Sequence, residues 1–122
     1  MSIQEIANKW KEYCSTGQWE KALDELYSEE AVSLEMKGAE GFPERVEGME
    51  AIKQKGEMWS GMVEEFHGIE IGETIIAGDH FAATMTMDVT MKGQPRSKSP
   101  EIALFRVADG KIVSEQFFYP LG

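Results

Sequence analysis

Glu35, Glu101 and Glu115 are the acids whose settings in this 122-residue chain invite chemistry. On its strand Glu101 shares parity with Ala103 and Phe105, and Glu115 shares it with Val113, Phe117 and Tyr119. A carboxyl turned toward apolar neighbours loses hydration, which disfavours its charged form and raises its pKa toward neutral pH. A general base needs that shift. The plain alternative for both is an acid near a strand end, in water, and Glu101 fits it better because it follows Pro100 at the start of its strand. Glu35 lies in "LYSEEAVSLEM", residues 26–36. Strict alternation puts Val32, Leu34 and Met36 on the apolar face, and Ala31, Ser33, Glu35 and Lys37 on the other. Glu35 then points away from the core, unless Ala31 and Ser33 floor a pocket or a bulge shifts the parity. The Tyr119 phenol could donate a hydrogen bond inside the same space, or simply pack its ring and wet its hydroxyl.

The remaining candidates are walls rather than reactive groups. Trp10, Trp59 and Phe117, with Met36, Met58, Met62, Met85 and Met87, either line a cavity or fill a core. Methionine adapts to irregular shapes, so an open pocket of this composition suits a small apolar molecule. His67 and His80 are the only histidines. No spacing gives the three or more convergent ligands of a metal site, and no cofactor is expected. His80 faces away from the core by parity, while His67 sits two residues after Glu64-Glu65 on an expected strand. Cys14 has no neighbouring His or Lys constellation and reads as a buried helix thiol. Lys92, Arg96 and Lys98 cluster at a hairpin and read as a solvated tip. The loop "GAEGFPER" is longer than a tight connection needs, and its Phe42 could act as a lid or as a dimer contact.

The elements that position these residues follow from pattern. "SIQEIANKWKEYCSTG" opens on a capping box, Ser2 with Glu5, and carries Ile3, Ile6, Ala7, Trp10 and Tyr13 at helical spacing until Gly17. "QWEKALDELY" places Trp19, Ala22, Leu23, Leu26 and Tyr27 on one face of a second helix. Residues 31–37 read as a strand. "MEAIKQKGEMWSGM" reads as a third helix with Met49, Ile52, Met58, Trp59 and Met62 roughly on one side. Strands follow, joined at Gly78-Asp79, Lys92-Gly93 and Asp109-Gly110. The clearest alternation is at 80–91, where Phe81, Ala83, Met85, Met87, Val89 and Met91 share a face that only the helices can cover. Helices first and strands after give an α+β fold, one domain over residues 1–122, with three helices covering the apolar face of the strands.

Composition sets the partners. Twenty-two acids against twelve bases give a net charge of −10, which argues against nucleic acid and against anionic membrane surfaces. One cysteine allows no internal disulfide, residues 1–17 lack an apolar signal core, and no run approaches membrane-spanning length. A cytoplasmic location is the expectation.

Four stretches, "STGQWEKALDELYSEEAV", "VEGMEAIKQKGEMW", "AGDHFAATMTMDVTMKGQP" and "LFRVADGKIVSEQFFY", come in an order and spacing that resembles the nuclear transport factor 2-like superfamily, in particular its SnoaL-like and ketosteroid-isomerase-like proteins. The resemblance implies a cone: a strongly bent antiparallel sheet wrapped around the helices (the cystatin-like fold), with a pocket at the open end and homodimers common. It implies cofactor-free isomerase, cyclase or dehydratase chemistry, or no activity at all. Glu35 falls where the isomerases keep their carboxylate base, eight residues beyond a Tyr matching Tyr27. At the positions of the isomerases' oxyanion donors stand Trp10 and Ala103, neither an equivalent donor. Tyr13, one turn further along that helix face, is the substitute. The leading expectation is general acid–base chemistry on an apolar carbonyl compound, with Glu35 or Glu115 moving the proton and Tyr13 or Tyr119 stabilising negative charge. Its rival is a non-catalytic ligand-binding or dimerisation module. A third outcome is a cone plugged by Met and Phe side chains.

Overall fold

The structure, a computed structural model, describes residues 1–39 and 41–121. Among them the elements run α1 (Ile3–Ser15), α2 (Trp19–Leu26), β1 (Tyr27–Leu34), β2 (Arg45–Glu47), α3 (Met49–Met62), β3 (Val63–Ile71), β4 (Ile75–Ala77), β5 (His80–Met91), β6 (Ser97–Ala108) and β7 (Lys111–Phe118). The capping box forms: the Ser2 hydroxyl accepts from the Glu5 N–H and Glu5 accepts from the Ser2 N–H. The stripe Ile6, Ala7, Trp10, Tyr13 and Cys14 is buried. Gly17, at φ +75°, ends α1 as the N–H of Gln18 returns to the Tyr13 carbonyl at 2.7 Å.

Helix α2 stops one residue earlier than its apolar stripe suggests. Tyr27 already has extended backbone and begins β1. This matters for the site, because it carries the phenol off the helix and under the sheet.

The strand order is β2-β1-β7-β6-β5-β3, with β4 also on β5. Every pair is antiparallel except β1–β7, which is parallel. The sheet is mostly antiparallel, as expected, with this one parallel pair as the exception. β1 enters from α2, β7 is the last strand, and the intervening helix and strands supply the crossover that a parallel neighbour needs. The Asp109-Gly110 turn has positive φ at both residues, +52° and +72°, the hairpin geometry its sequence calls for.

Strand β5 buries Phe81, Ala83, Met85, Met87 and Val89, following its alternation. Phe81 pairs with Phe105, and Phe105 in turn with Glu115, so one row of the inner face runs across three strands. Trp10 of α1 packs on Phe105 with centroids 4.6 Å apart and on Phe81 at 6.0 Å, while the two phenylalanines stack at 4.6 Å. Each such aromatic pair adds about 0.5–1.5 kcal/mol beyond its area. Ile6, Leu26 and Ile112 are fully buried, each worth roughly 1.5–3 kcal/mol. Among the described residues no helix is long and apolar enough to cross a membrane.

Strand β1 reverses the expected faces. Ala31 and Ser33 are fully buried, while Val32 and Leu34 are half-buried. The pairing of β1 with β7 slips between Tyr27 and Val32, and α3 packs across β1. Space on the inner side there suits only small side chains. Parity then carries Glu35 inward as well.

Candidate functional site

The three helices leave a cavity of about 1050 Å³ against the inner face of β5, β6 and β7. That is at the upper end of small-molecule sites. Trp10, Trp19, Trp59, Met85, Met87 and Phe117 are among its apolar walls, and Phe42 of the long loop also faces it. Glu40 of that loop lies outside the described residues. The interior is therefore open, not plugged.

Its polar side is one hydrogen-bonded chain. Tyr27 donates to Glu115 Oε1 at 2.5 Å and Ser33 donates to Glu115 Oε2 at 2.6 Å. Lys55 Nζ donates to Ser33 Oγ at 2.7 Å and pairs with Glu35 Oε2 at 2.5 Å. Tyr119 donates to Glu35 Oε1 at 2.7 Å. The Glu35 side chain is only 8% exposed and that of Lys55 only 11%. Buried ion pairs persist only with such complete pairing. β1 supplies Tyr27 and Ser33 and, just past its end, Glu35; β7 supplies Glu115 and, just past its end, Tyr119; α3 supplies Lys55.

Burial raises the Glu115 carboxyl above its usual range, with the hydrogen bonds from Ser33 and Tyr27 opposing. Glu101 lines the same cavity and is pushed up to about 7, first by burial and then by the nearby Glu35 and Glu115, against the pull of Lys55. No hydrogen bond or ion pair to Glu101 occurs among the described residues. Burial, then the bond to Glu35, also raises the Tyr119 phenol. The Cys14 thiol, on the cavity wall, is pushed up to about 12 by burial and nearby Glu115 and stays protonated.

Several expectations change. Glu35 faces the cavity, against its strand alternation. Glu101 faces it too, because Met85 opposite and Ala103 beyond hold that row inward, so Pro100 does not place it in water. Tyr13 does not line the cavity: its hydroxyl donates to Glu25 of α2, where Lys9 also reaches at 2.9 Å. Met58 is 51% exposed, and Met62, beside Gly41, is outside the lining, because α3 turns Ile52, Lys55 and Trp59 inward instead. His67 hydrogen-bonds Thr90 at 2.8 Å away from the cavity, and His80 pairs with Asp79. Arg96 grips Asp88 with two hydrogen bonds, as a hairpin tip would.

Lys55 escaped the sequence reading, yet a signal existed. It sits three residues after Ile52 and four before Trp59, a cation on the apolar stripe of α3. Ser33 was visible only as a small floor residue, and Tyr27 as part of a helix face and as the match to a family Tyr, without its bond to Glu115.

Residues 1–119 match the family model of the SnoaL-like domain. A provisionally assigned SnoaL-like polyketide cyclase from Mesorhizobium loti is 32% identical, with a TM-score of 0.88 over 98% of this chain and 100% of that one. A Xanthomonas campestris protein of unknown function with a cystatin-like fold is 21% identical at TM-score 0.85, covering 99% and 92%. A Catenulispora acidiphila protein with a ketosteroid-isomerase-like fold, solved in complex with trimethylamine, is 23% identical at TM-score 0.75, covering 98% and 88%. No curated protein matches the chain in sequence.

Proposed function

We propose, for a chain that belongs to the SnoaL-like domain family, that its cavity binds a small, largely apolar carbonyl compound and moves a proton to and from the carbon beside that carbonyl. One observation carries the reading: Glu35, Glu101 and Glu115 converge on a single cavity, and Glu101 makes no hydrogen bond or ion pair among the described residues. With a pKa of about 7, Glu101 both accepts and returns a proton near neutral pH, the condition for an efficient general base. The other two carboxyls are held by neighbours and serve as framework: Glu115 between Tyr27 and Ser33, Glu35 between Tyr119 and Lys55. This shifts the role expected of Glu35 or Glu115 onto Glu101. The cyclase assignment of the Mesorhizobium loti structure and the small molecule held by the Catenulispora acidiphila one support a ligand-binding cavity.

Incubation with a panel of apolar ketones and lactones in D2O, followed by NMR, tests it. Deuterium enters the α-position of a bound compound, and Glu101→Gln slows this by about a hundredfold or more. Bound compounds that take up no deuterium would overturn the proton-transfer reading and leave a binding protein.

A second reading concerns assembly. On the outer face Ile102 and Phe118 are directly paired across β6 and β7, 50% and 36% exposed. An apolar pair there supports a homodimer through the sheet.

A further inference from the structure

We infer that Lys55 is the group that holds the ligand's carbonyl oxygen in this cavity and compensates the negative charge that forms on it. The inference rests on the proton-transfer reading above and adds the partner that such a transfer requires.

The polar hydrogens of the chain are nearly all spoken for. A hydroxyl has one proton to give. Tyr119 gives its proton to Glu35, while Tyr27 and Ser33 give theirs to Glu115. An ammonium has three. Lys55 directs two contacts, to Ser33 Oγ and to Glu35 Oε2, and its remaining near neighbour is the Phe117 ring, 5.5 Å from Nζ. A ring face attracts the ammonium but supplies no oxygen, so one N–H is left for an oxygen that the described residues do not supply. Lys53, the other lysine at the cavity, is bound to Asp24 at 2.6 Å.

The charge balance favours the same assignment. When ionised Glu101 takes the α-proton, the C–H bond breaks and its electron pair becomes the new C=C bond. The carbonyl π pair moves onto oxygen. The negative charge thus leaves Glu101 and appears on the ligand oxygen, and the site's total charge is unchanged. Such a transfer is eased by a fixed cation at the receiving end and hindered by one at the starting end. Lys55 also acts on Glu101, but as the weakest of the influences on that carboxyl, so it opposes the transfer only slightly at the starting end while both ends belong to one site. Its seat is rigid, because Ser33 and Glu35 hold it from two sides.

A nitrophenol tests the assignment without turnover, since its absorbance reports whether the bound oxygen is protonated. Measured below pH 7, where Glu101 is mostly protonated, the wild-type protein shifts the bound probe toward phenolate by about tenfold or more relative to water. Lys55→Arg keeps most of this shift. Because Lys55→Met alone strands the Glu35 carboxylate, the informative variant is Lys55→Met with Glu35→Gln, which loses the shift while circular dichroism and melting confirm folding. A double variant that still favours phenolate, or a wild-type protein that binds only the neutral phenol or no phenol, overturns the role of Lys55. Phenolate preference without deuterium uptake into any ketone overturns the proton-transfer reading instead.

Discussion

Ser33 on β1 and Glu115 on β7 are register partners in the parallel strand pair, and the serine hydroxyl donates to the carboxyl at 2.6 Å while itself accepting from Lys55. The serine is fully buried, so no water replaces it. Ser33→Ala removes a donor from one buried group and an acceptor from another. We expect a loss of roughly 1–3 kcal/mol in stability, read by denaturant unfolding. An unchanged midpoint would show that the chain of hydrogen bonds is slack at this link.

Glu101 makes stability fall as pH rises. Its folded pKa of about 7 exceeds the ordinary 4.5, so between those values the folded protein binds more protons than the unfolded chain. The penalty is absent below about pH 4.5, grows through the window and is complete above about 7, reaching on the order of 3 kcal/mol. Glu101→Gln should flatten the decline in melting temperature across this range. An equally steep decline in the variant would assign it to Glu115 and to general acidic repulsion.

Cys14 should resist alkylation despite lining the cavity. With its thiol pushed up to about 12, almost no thiolate exists at pH 8, and thiolate is the reactive form. Iodoacetamide should label the native protein far more slowly than the urea-unfolded chain. Comparable rates would show that the α1 face is open.

The Ile102–Phe118 pair gives a prediction about assembly. If the outer sheet face carries a second copy, Ile102→Lys lowers the apparent mass in size-exclusion chromatography with light scattering while the fold persists. A wild-type protein that runs as a monomer at all concentrations removes the dimer reading.

The order of elements, the inner face of β5, the capping box of α1 and the Asp109-Gly110 hairpin were legible in sequence, because each depends on neighbours within a few positions. Periodicity and turn chemistry act at that range. The direction of Glu35 was not legible by the same rule. Alternation ranks faces by hydrophobicity, and β1 puts its larger apolar residues outward because α3 packs across it, with Ala31 and Ser33 at the fully buried positions. Glu101 was misplaced for a related reason: Pro100 marks a strand start locally, but only pairing with β5 shows that the start lies over the cavity. Lys55 gains its meaning from Ser33 and Glu35, twenty or more residues away in the chain. Sequence alone determined the helix-then-strand order, the apolar face of β5 and the acids that could face it. Tertiary structure decided which acids are held by neighbours and which cation joins them, since burial and pairing are properties of the assembled site and not of any one segment.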